Sequence, residues 1–421
     1  MTVSGALSEL RDPRTIRARC DRILEVGLRG ELEHFAIDLA KLKAAAHFTA
    51  EVTRERYPSL EVPEHGRMTH FDASGIRRSG QLMAAIAHHP QAEQSRLLID
   101  VVLTSVLLDA GAGTSWHYSE PCANLRLGRS EGLAVASLAW VKSGALSSRG
   151  EPYEVDAEGL LRVTEEQLAT AFQVGPTNPL VGLPGRLHLL HGLGRALTAH
   201  AETFGPQGRP GGLLDYCVKH CTVPSSAALS VSAPFLLGTL LAKLSDIWPG
   251  RLTLDGEQLG DVWRHAALGG ASGAHGGDLK GEAADLVPFH KLTQWLTYSL
   301  IQPLRVAGVS VRALDQLTGL AEYRNGGLFL DSEVLVPKHA GVLKEAHEVG
   351  SELVVEWRAL TVALLDRLAP LVRSELGVRE DRLPLVAVLE GGTWAAGRRL
   401  AATKRREAMP PIRVISDGTV F

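Results

Sequence analysis

The chain is poor in the features that most readily place a protein. Four cysteines in 421 residues are too few for a disulfide framework. Basic and acidic residues nearly cancel, 44 against 47 for a net charge of -3, so there is no electrostatic ground for tracking a nucleic-acid backbone. No apolar run approaches the roughly twenty residues of a membrane span. The most apolar window, 97–108, is interrupted by Asp100, Thr104 and Ser105 and reads as a buried helix. Met1 to Glu9 carries neither the basic region nor the apolar stretch of a secretory leader. Strands do not alternate with helices, which leaves a doubly wound sheet unsupported. No internal repeat and no low-complexity tract is present. These absences lead to the expectation of a soluble, reduced, cytoplasmic protein with neither nucleic acid nor membrane as partner.

What is present is ordinary globular material, 45% hydrophobic and 22% charged, with helical spacing. Leu353, Trp357, Leu360, Leu364 and Leu368 form one apolar face. Phe289, Leu292, Leu296 and Leu300 form another within 287–301, and Leu183, Leu187, Leu190 and Leu193 begin a third near Gly182 and Pro184. Further helices are expected over 14–30, 33–51, 79–88, 93–109, 130–143, 164–173, 233–247, 310–319 and 393–406. Strands are expected over 328–330 and 412–415, with a brief extended piece at 152–155. Gly/Pro-rich connectors fall at 204–213 and 267–282, the second with the make-up of a mobile loop or lid. The expectation is a mainly α protein, a single large helical domain over 1–421 with a few short strands.

Five segments carry chemistry. Leu317 to Gly327 sets Glu322, Tyr323, Arg324 and Asn325 in a row before two glycines. A carboxylate beside a guanidinium stays ionised and competent as a base or as a stabiliser of positive charge; the structural alternative is an ion pair at an Asn-Gly-Gly turn. Asp109 to Glu120 follows the buried helix. There Trp116 and Tyr118 offer flat faces, and Asp109, His117 and Glu120 offer proton transfer; the alternative is a helix C-cap at Gly111 with Trp116 in the core. Before the next helix, Ser130 reads as an N-cap, with Arg129 as a phosphate partner. His290, Lys291 and Gln294 make a polar stripe beside the apolar face of their helix; alternatively His290 is a core histidine with a backbone partner. Glu390 to Arg399 places Gly391, Gly392 and Thr393 ahead of a helix containing Trp394 and Arg398, a natural anion site if the N–H groups are free. It is not a phosphate-binding P-loop, because no Lys-Ser/Thr follows the glycines. Cys217/Cys221 and His188/His191 have helical spacing but match no common zinc pattern, so no metal is expected.

In combination these segments resemble one family. The runs AGAGTSWHYSE (110–120), LVPFHKLTQWLTYSL (286–300), LTGLAEYRNGGLFLD (317–331), EGGTWAAGR (390–398) and SDGTVF (416–421) are similar to the uracil catabolism protein 4 family of fungi and bacteria. His70-Phe71-Asp72, Phe172-Gln173-Val174 and Asn178-Pro179-Leu180 join them. The resemblance runs from about residue 10 to the C-terminus. It implies a place in a pathway that degrades uracil through a ribosylated intermediate. Members are sometimes labelled uracil phosphoribosyltransferases; this chain lacks the acidic-pair strand–loop and the α/β alternation of that class.

A second likeness is shorter. LTGLAEYR looks like the ADYR-type motif of the queuosine-salvage nucleotide N-glycosidases, helical proteins related in shape to DNA glycosylases. It implies a DNA-glycosylase-like helical core and gives Glu322 the role of the carboxylate that supports cleavage of a ribose–nitrogen bond. Glu stands here where that motif has Asp, one methylene longer. Together the two likenesses imply an N-glycosidase hydrolysing ribosylurea or its 5-phosphate, without a cofactor. Glu322 would be the principal carboxylate, with Asp109, Glu120 or His117 as the acid. Lys291, Arg324 and Arg398 would hold phosphate, and Trp116 or Tyr323 would pack on the sugar. Tyr118, His290, Gln294, Asn325, Thr393 and Trp394 complete the substrate-binding set. The rivals are a non-catalytic ribosyl- or nucleotide-binding subunit and a ribosyl-phosphate transferase.

Overall fold

Apolar residues at helical spacing build most of the structure. Leu353 to Leu368 lies in one long helix, Glu352–Leu376, whose residues from Leu353 to Leu365 are all buried. A helix covered all round must run through a core. The computed structural model describes residues 3–109, 111–113, 115–120, 123–221, 229–248, 252–269 and 279–415. Most of the expected lid, 270–278, and the terminal SDGTVF lie outside the described residues.

The chain divides into two compact units. The first comprises Met1–His65, Gly250–Gln294 and Leu314–Ile415, and the second Gly66–Pro249 and Trp295–Ala313. In the first, Glu352–Leu376 is packed by Pro13–Leu28 and Leu42–Arg56. The helices Tyr323–Asp331 and Trp394–Lys404 pack on each other. In the second unit, Gln91–Leu107 is buried continuously from Leu97 to Leu107 and is covered by Arg129–Lys142 and Ile301–Val306. Leu183–Ala199 begins at the expected Gly182 and Pro184.

Among the described residues the fold is mainly α, with few short strands and no closed sheet. Among the described residues the strands pair only in twos. Phe35–Ile37 runs antiparallel to Leu335–Pro337, and Ala346–Glu348 lies parallel to Arg413–Ile415. Among the described residues no helix is long and apolar enough to cross a membrane.

Three local expectations are corrected. Leu328-Phe329-Leu330 is helical, inside Tyr323–Asp331, because the segment buries all its sides and gains its own backbone bonds. The stretch 310–319 is not a helix: Ser310–Arg312 pairs in parallel with Ser230–Ser232. Tyr153 takes a left-handed conformation (φ 65°), and no strand forms at 152–155.

Close helix contacts depend on glycine. A Cβ at Gly397 would overlap the carbonyl oxygen of Arg324, which is backbone and cannot swing aside. A Cβ at Gly238, in the helix Ala233–Lys243, meets nothing within 4 Å. Gly397→Ala is therefore expected to destabilise by about 1–3 kcal/mol, whereas Gly238→Ala should stabilise by up to about 1 kcal/mol through helix propensity. Urea denaturation of both variants compares the two signs.

Candidate active site

Glu322 stands at the head of the helix Tyr323–Asp331 in extended backbone (φ -126°, ψ 163°). Its Oε2 accepts the N–H of Arg324 and its Oε1 that of Asn325, each at 2.6 Å. Short polar residues usually cap helices. The longer glutamate instead spans the second and third amides with both oxygens, which uses the extra methylene. The Asn325-Gly326-Gly327 run is therefore the first turn of a helix, not a loop turn. Gly326 is required there because a Cβ would lie 2.6 Å from the Trp357 indole.

Glu322 is 7% exposed. Burial pushes its pKa up, while the Arg324 and Asn325 amides and the positive charge of Lys291 pull in the other direction. A desolvated carboxylate of this kind stabilises a nearby cation strongly, because little water screens it. Beside it, Asn325 donates Nδ2–H to Leu320 O at 3.2 Å, which sets the amide's orientation. Its Oδ1 accepts no hydrogen bond among the described residues although the residue is only 2% exposed. Leaving a buried acceptor unmet costs about 1–3 kcal/mol, and a ligand N–H would meet it. Tyr323 is half-buried beneath the Arg324 guanidinium, 4.9 Å from the ring centre, and Arg324 Nη1 donates to Ala408 O at 2.7 Å.

A buried ion pair supports this corner of the first unit. Arg358 grips Asp261 with two bonds of 2.8 Å, and Trp263 Nε1 and the Lys291 N–H donate to the same carboxylate at 2.7 and 3.0 Å. Arg358 Nε also reaches Ala321 O at 3.3 Å, the residue before Glu322. Sequence reasoning missed both partners, which lie 97 positions apart with no local motif to signal them.

The other residues named from the first unit divide into structural and peripheral ones. His290 is 4% exposed, in a left-handed conformation (φ 45°), and bonds Leu10 O through Nε2 at 2.9 Å. Burial lowers its pKa and keeps it neutral; this is the core histidine with a backbone partner. Gln294 is 1% exposed and clamps Thr318, accepting its N–H at 3.0 Å and donating to its hydroxyl at 2.9 Å. Thr393 is fully buried. It ends a π-helical turn, Leu389–Thr393, that joins Leu385–Val388 to Trp394–Lys404, so the expected free helix start after the glycines does not exist. Trp394 is half-buried and Arg398 exposed, with its guanidinium 5.6 Å from the Trp394 ring centre.

Asp109, Trp116, His117, Tyr118 and Glu120 belong to the second unit. Asp109 pairs at 2.8 Å with Arg67, which is 0% exposed, and accepts the Ser130 hydroxyl at 2.6 Å. Ser130 is thus not a helix cap but a donor from the first turn of Arg129–Lys142. Glu120 pairs with Arg78 through both oxygens, and that hydrogen bonding holds its carboxyl below the usual range. Both carboxylates are committed to arginines and poorly suited to donating a proton. Trp116 is 1% exposed and gives its indole N–H to Phe172 O at 2.9 Å, which places it in the core. Burial raises the Tyr118 phenol, and His117 Nδ1 lies 2.8 Å from Ser115 O. The strand His117–Glu120 is clasped by two side-chain amides, Asn178 on His117 and Gln173 on Ser119, all four bonds 2.8–2.9 Å. Burial pushes the Cys217 thiol up to about 12, as in an apolar core cysteine, and His191 Nε2 lies 2.8 Å from Val163 O.

Residues 9–421 match the family model described as Protein of unknown function (DUF1688). The chain is 37% identical over 448 residues to Uracil catabolism protein 4 of Lachancea kluyveri, covering 100% of both chains. It is 36% identical over 423 residues to Protein urg3 of Schizosaccharomyces pombe, covering 99% of each.

Proposed function

The chain belongs to the DUF1688 family together with Uracil catabolism protein 4, and on that premise we propose that it acts in uracil degradation, in the cytoplasm, as an N-glycosidase that hydrolyses ribosylurea or its 5-phosphate to urea and a ribose product. The pathway follows from the name of the Lachancea relative. The reaction is supported by one observation above all: a desolvated carboxylate, Glu322, fixed at a helix start beside an unmet buried acceptor, Asn325 Oδ1.

Breaking a ribose–nitrogen bond builds positive charge on the sugar, and the leaving nitrogen carries N–H groups. A rigid carboxylate with little water around it stabilises that charge and accepts a proton from the attacking water. The Asn325 carbonyl suits an N–H of the urea group. Lys291, Arg324 and Arg398 supply this unit's positive charge for a 5-phosphate, and the Tyr323 ring supplies a flat face for the sugar.

Incubation of the purified protein with synthetic ribosylurea and with its 5-phosphate tests the reading. Urea is expected from at least one of them at protein concentrations far below that of substrate. Tight binding of both without urea release would instead favour a non-catalytic ribosyl-binding role.

A further inference from the structure

The Gly/Pro-rich connector at 204–213 has no role in the site at Glu322, which belongs to the other unit. Within the second unit it closes one side of a cavity of about 490 Å³, inside the roughly 300–1,000 Å³ of small-molecule sites. The remaining sides are the segment 148–156, the short helix Ala157–Leu161 and the end of Leu183–Ala199, which contributes Thr198.

The connector is held firmly. Gly208 is left-handed (φ 59°), and its carbonyl accepts the Ala157 N–H at 2.9 Å. A side chain has no room there, because a Cβ would lie 2.9 Å from that of Ala157. Arg209 donates Nε and Nη2 to Asp100 Oδ2 at 3.0 and 2.7 Å, and Nη1 to Glu93 Oε1 at 2.9 Å. Asp100 is 0% exposed and also accepts the Gly211 N–H at 2.6 Å. This wall is therefore anchored to the buried helix Gln91–Leu107.

Charge and hydrogen bonding on the lining decide what fits. Arg149, Arg162 and Arg209 are matched by Glu154, Asp156 and Glu158, three cations against three carboxylates. Asp100 and Glu93 draw further on Arg209 from behind. No positive excess remains for a phosphate or carboxylate ligand. A cation fares no better, since the inner carboxylates are already met. Glu154 accepts Ser147 Oγ at 2.9 Å and Arg149 Nε at 3.1 Å, and lies 3.2 Å from Arg209 Nη1. Asp156 accepts the Gly159 N–H at 2.8 Å and both Ser148 N–H and Oγ at 2.7 and 2.9 Å. A purely apolar ligand would take water from the exposed ion pairs without replacing its hydrogen bonds.

A neutral molecule that both donates and accepts is left, and the lining suits one. Arg149 spends Nε and Nη2 on Glu154, and its Nη1 makes no hydrogen bond among the described residues. The exposed Arg162–Glu158 pair sets N–H groups beside carboxylate oxygens. One sugar hydroxyl can accept from such a guanidinium and donate to such a carboxylate at once. Leu161, 43% exposed, and Pro206 give an apolar patch for the C–H face of a sugar ring.

We propose that this cavity is an accessory site for a neutral polyhydroxylated small molecule, a free sugar or an uncharged riboside, held by Arg149 and the Arg162–Glu158 pair. The assignment needs no chemistry at Glu322 and does not rest on the N-glycosidase reading.

Calorimetric titration of the full chain with D-ribose, with uridine and with ribose 5-phosphate tests it. Ribose or uridine is expected to bind with a Kd below about 10 mM, and ribose 5-phosphate about tenfold more weakly or worse. Ribose binding identifies a free-sugar site; uridine binding without ribose binding identifies a riboside site. Thr198→Trp puts an indole into the cavity from an exposed helix position, and Arg149→Met removes the guanidinium while Glu154 keeps Ser147 and Arg209. Each variant should weaken binding about tenfold or more, with a melting midpoint within about 3 °C of the unaltered chain. The assignment is overturned if neither ribose nor uridine binds, if ribose 5-phosphate binds as well as they do, or if either folded variant binds them as the unaltered chain does.

Discussion

Glu322→Gln is expected to release urea from ribosylurea 5-phosphate at least about a hundredfold more slowly than the unaltered chain, in the range seen when a proton-transferring or charge-stabilising group is removed. The substitution is close to isosteric. One amide oxygen can still accept from Arg324 or Asn325, whereas the NH2 group would face the other backbone N–H. Part of the cap is therefore lost with the charge, a stability cost of about 0.5–2 kcal/mol. A thermal melt alongside the kinetics separates the two effects. Glu322→Asp gives the complementary result. It keeps the charge but is one methylene too short to hold both amides and the same position, so intermediate rates are expected. Activity of Glu322→Gln equal to the unaltered chain would remove this carboxylate from the chemistry.

Asp261→Ala should produce the largest loss of stability. It removes the carboxylate that Arg358, 1% exposed, grips with two bonds, and takes the acceptor from the Trp263 indole and the Lys291 amide. Breaking a buried pair from one side costs about 3–5 kcal/mol, while replacing both partners with apolar residues costs far less. The double variant Asp261→Ala/Arg358→Met should recover much of the loss, read from urea midpoints at constant slope. The pair also sets a pH dependence. Burial alone would raise the Asp261 carboxyl, but the charge and hydrogen bonds of Arg358 hold it below the ordinary 3.8. A carboxylate with a depressed folded-state pKa contributes stability above its unfolded value and loses it as pH falls through the folded one. The unaltered chain should lose stability steeply below about pH 4, and Asp261→Ala, already lacking that contribution, should show a shallower decline.

The helices were the most legible part of the fold, because Leu353 to Leu368 and Leu183 to Leu193 repeat at helical spacing over several turns. Leu328-Phe329-Leu330 misled because three adjacent apolar residues fit a buried helix as well as a strand. The strand at Ser310 was invisible because its partner, Ser230–Ser232, lies far back in the chain. Glu322 stood out by its neighbours, but its cap did not, since glutamate is an unusual capping residue. Gly391-Gly392 read as a free helix start. The helical residues on both sides turned the expected free helix start into a π-helical turn within a continuous run. The buried arginines Arg67, Arg186 and Arg358 went unrecognised, because arginine is ordinarily exposed and nothing local shows where a buried partner will come from.

The most direct measurement is turnover of ribosylurea 5-phosphate by the purified protein in buffer without added pyrophosphate. Hydrolysis at the glycosidic carbon should yield urea and ribose 5-phosphate in equal amounts. Urea formed only when pyrophosphate is supplied, urea and ribose 5-phosphate in unequal amounts, or no urea at all would contradict cleavage of the ribose–nitrogen bond by water at Glu322.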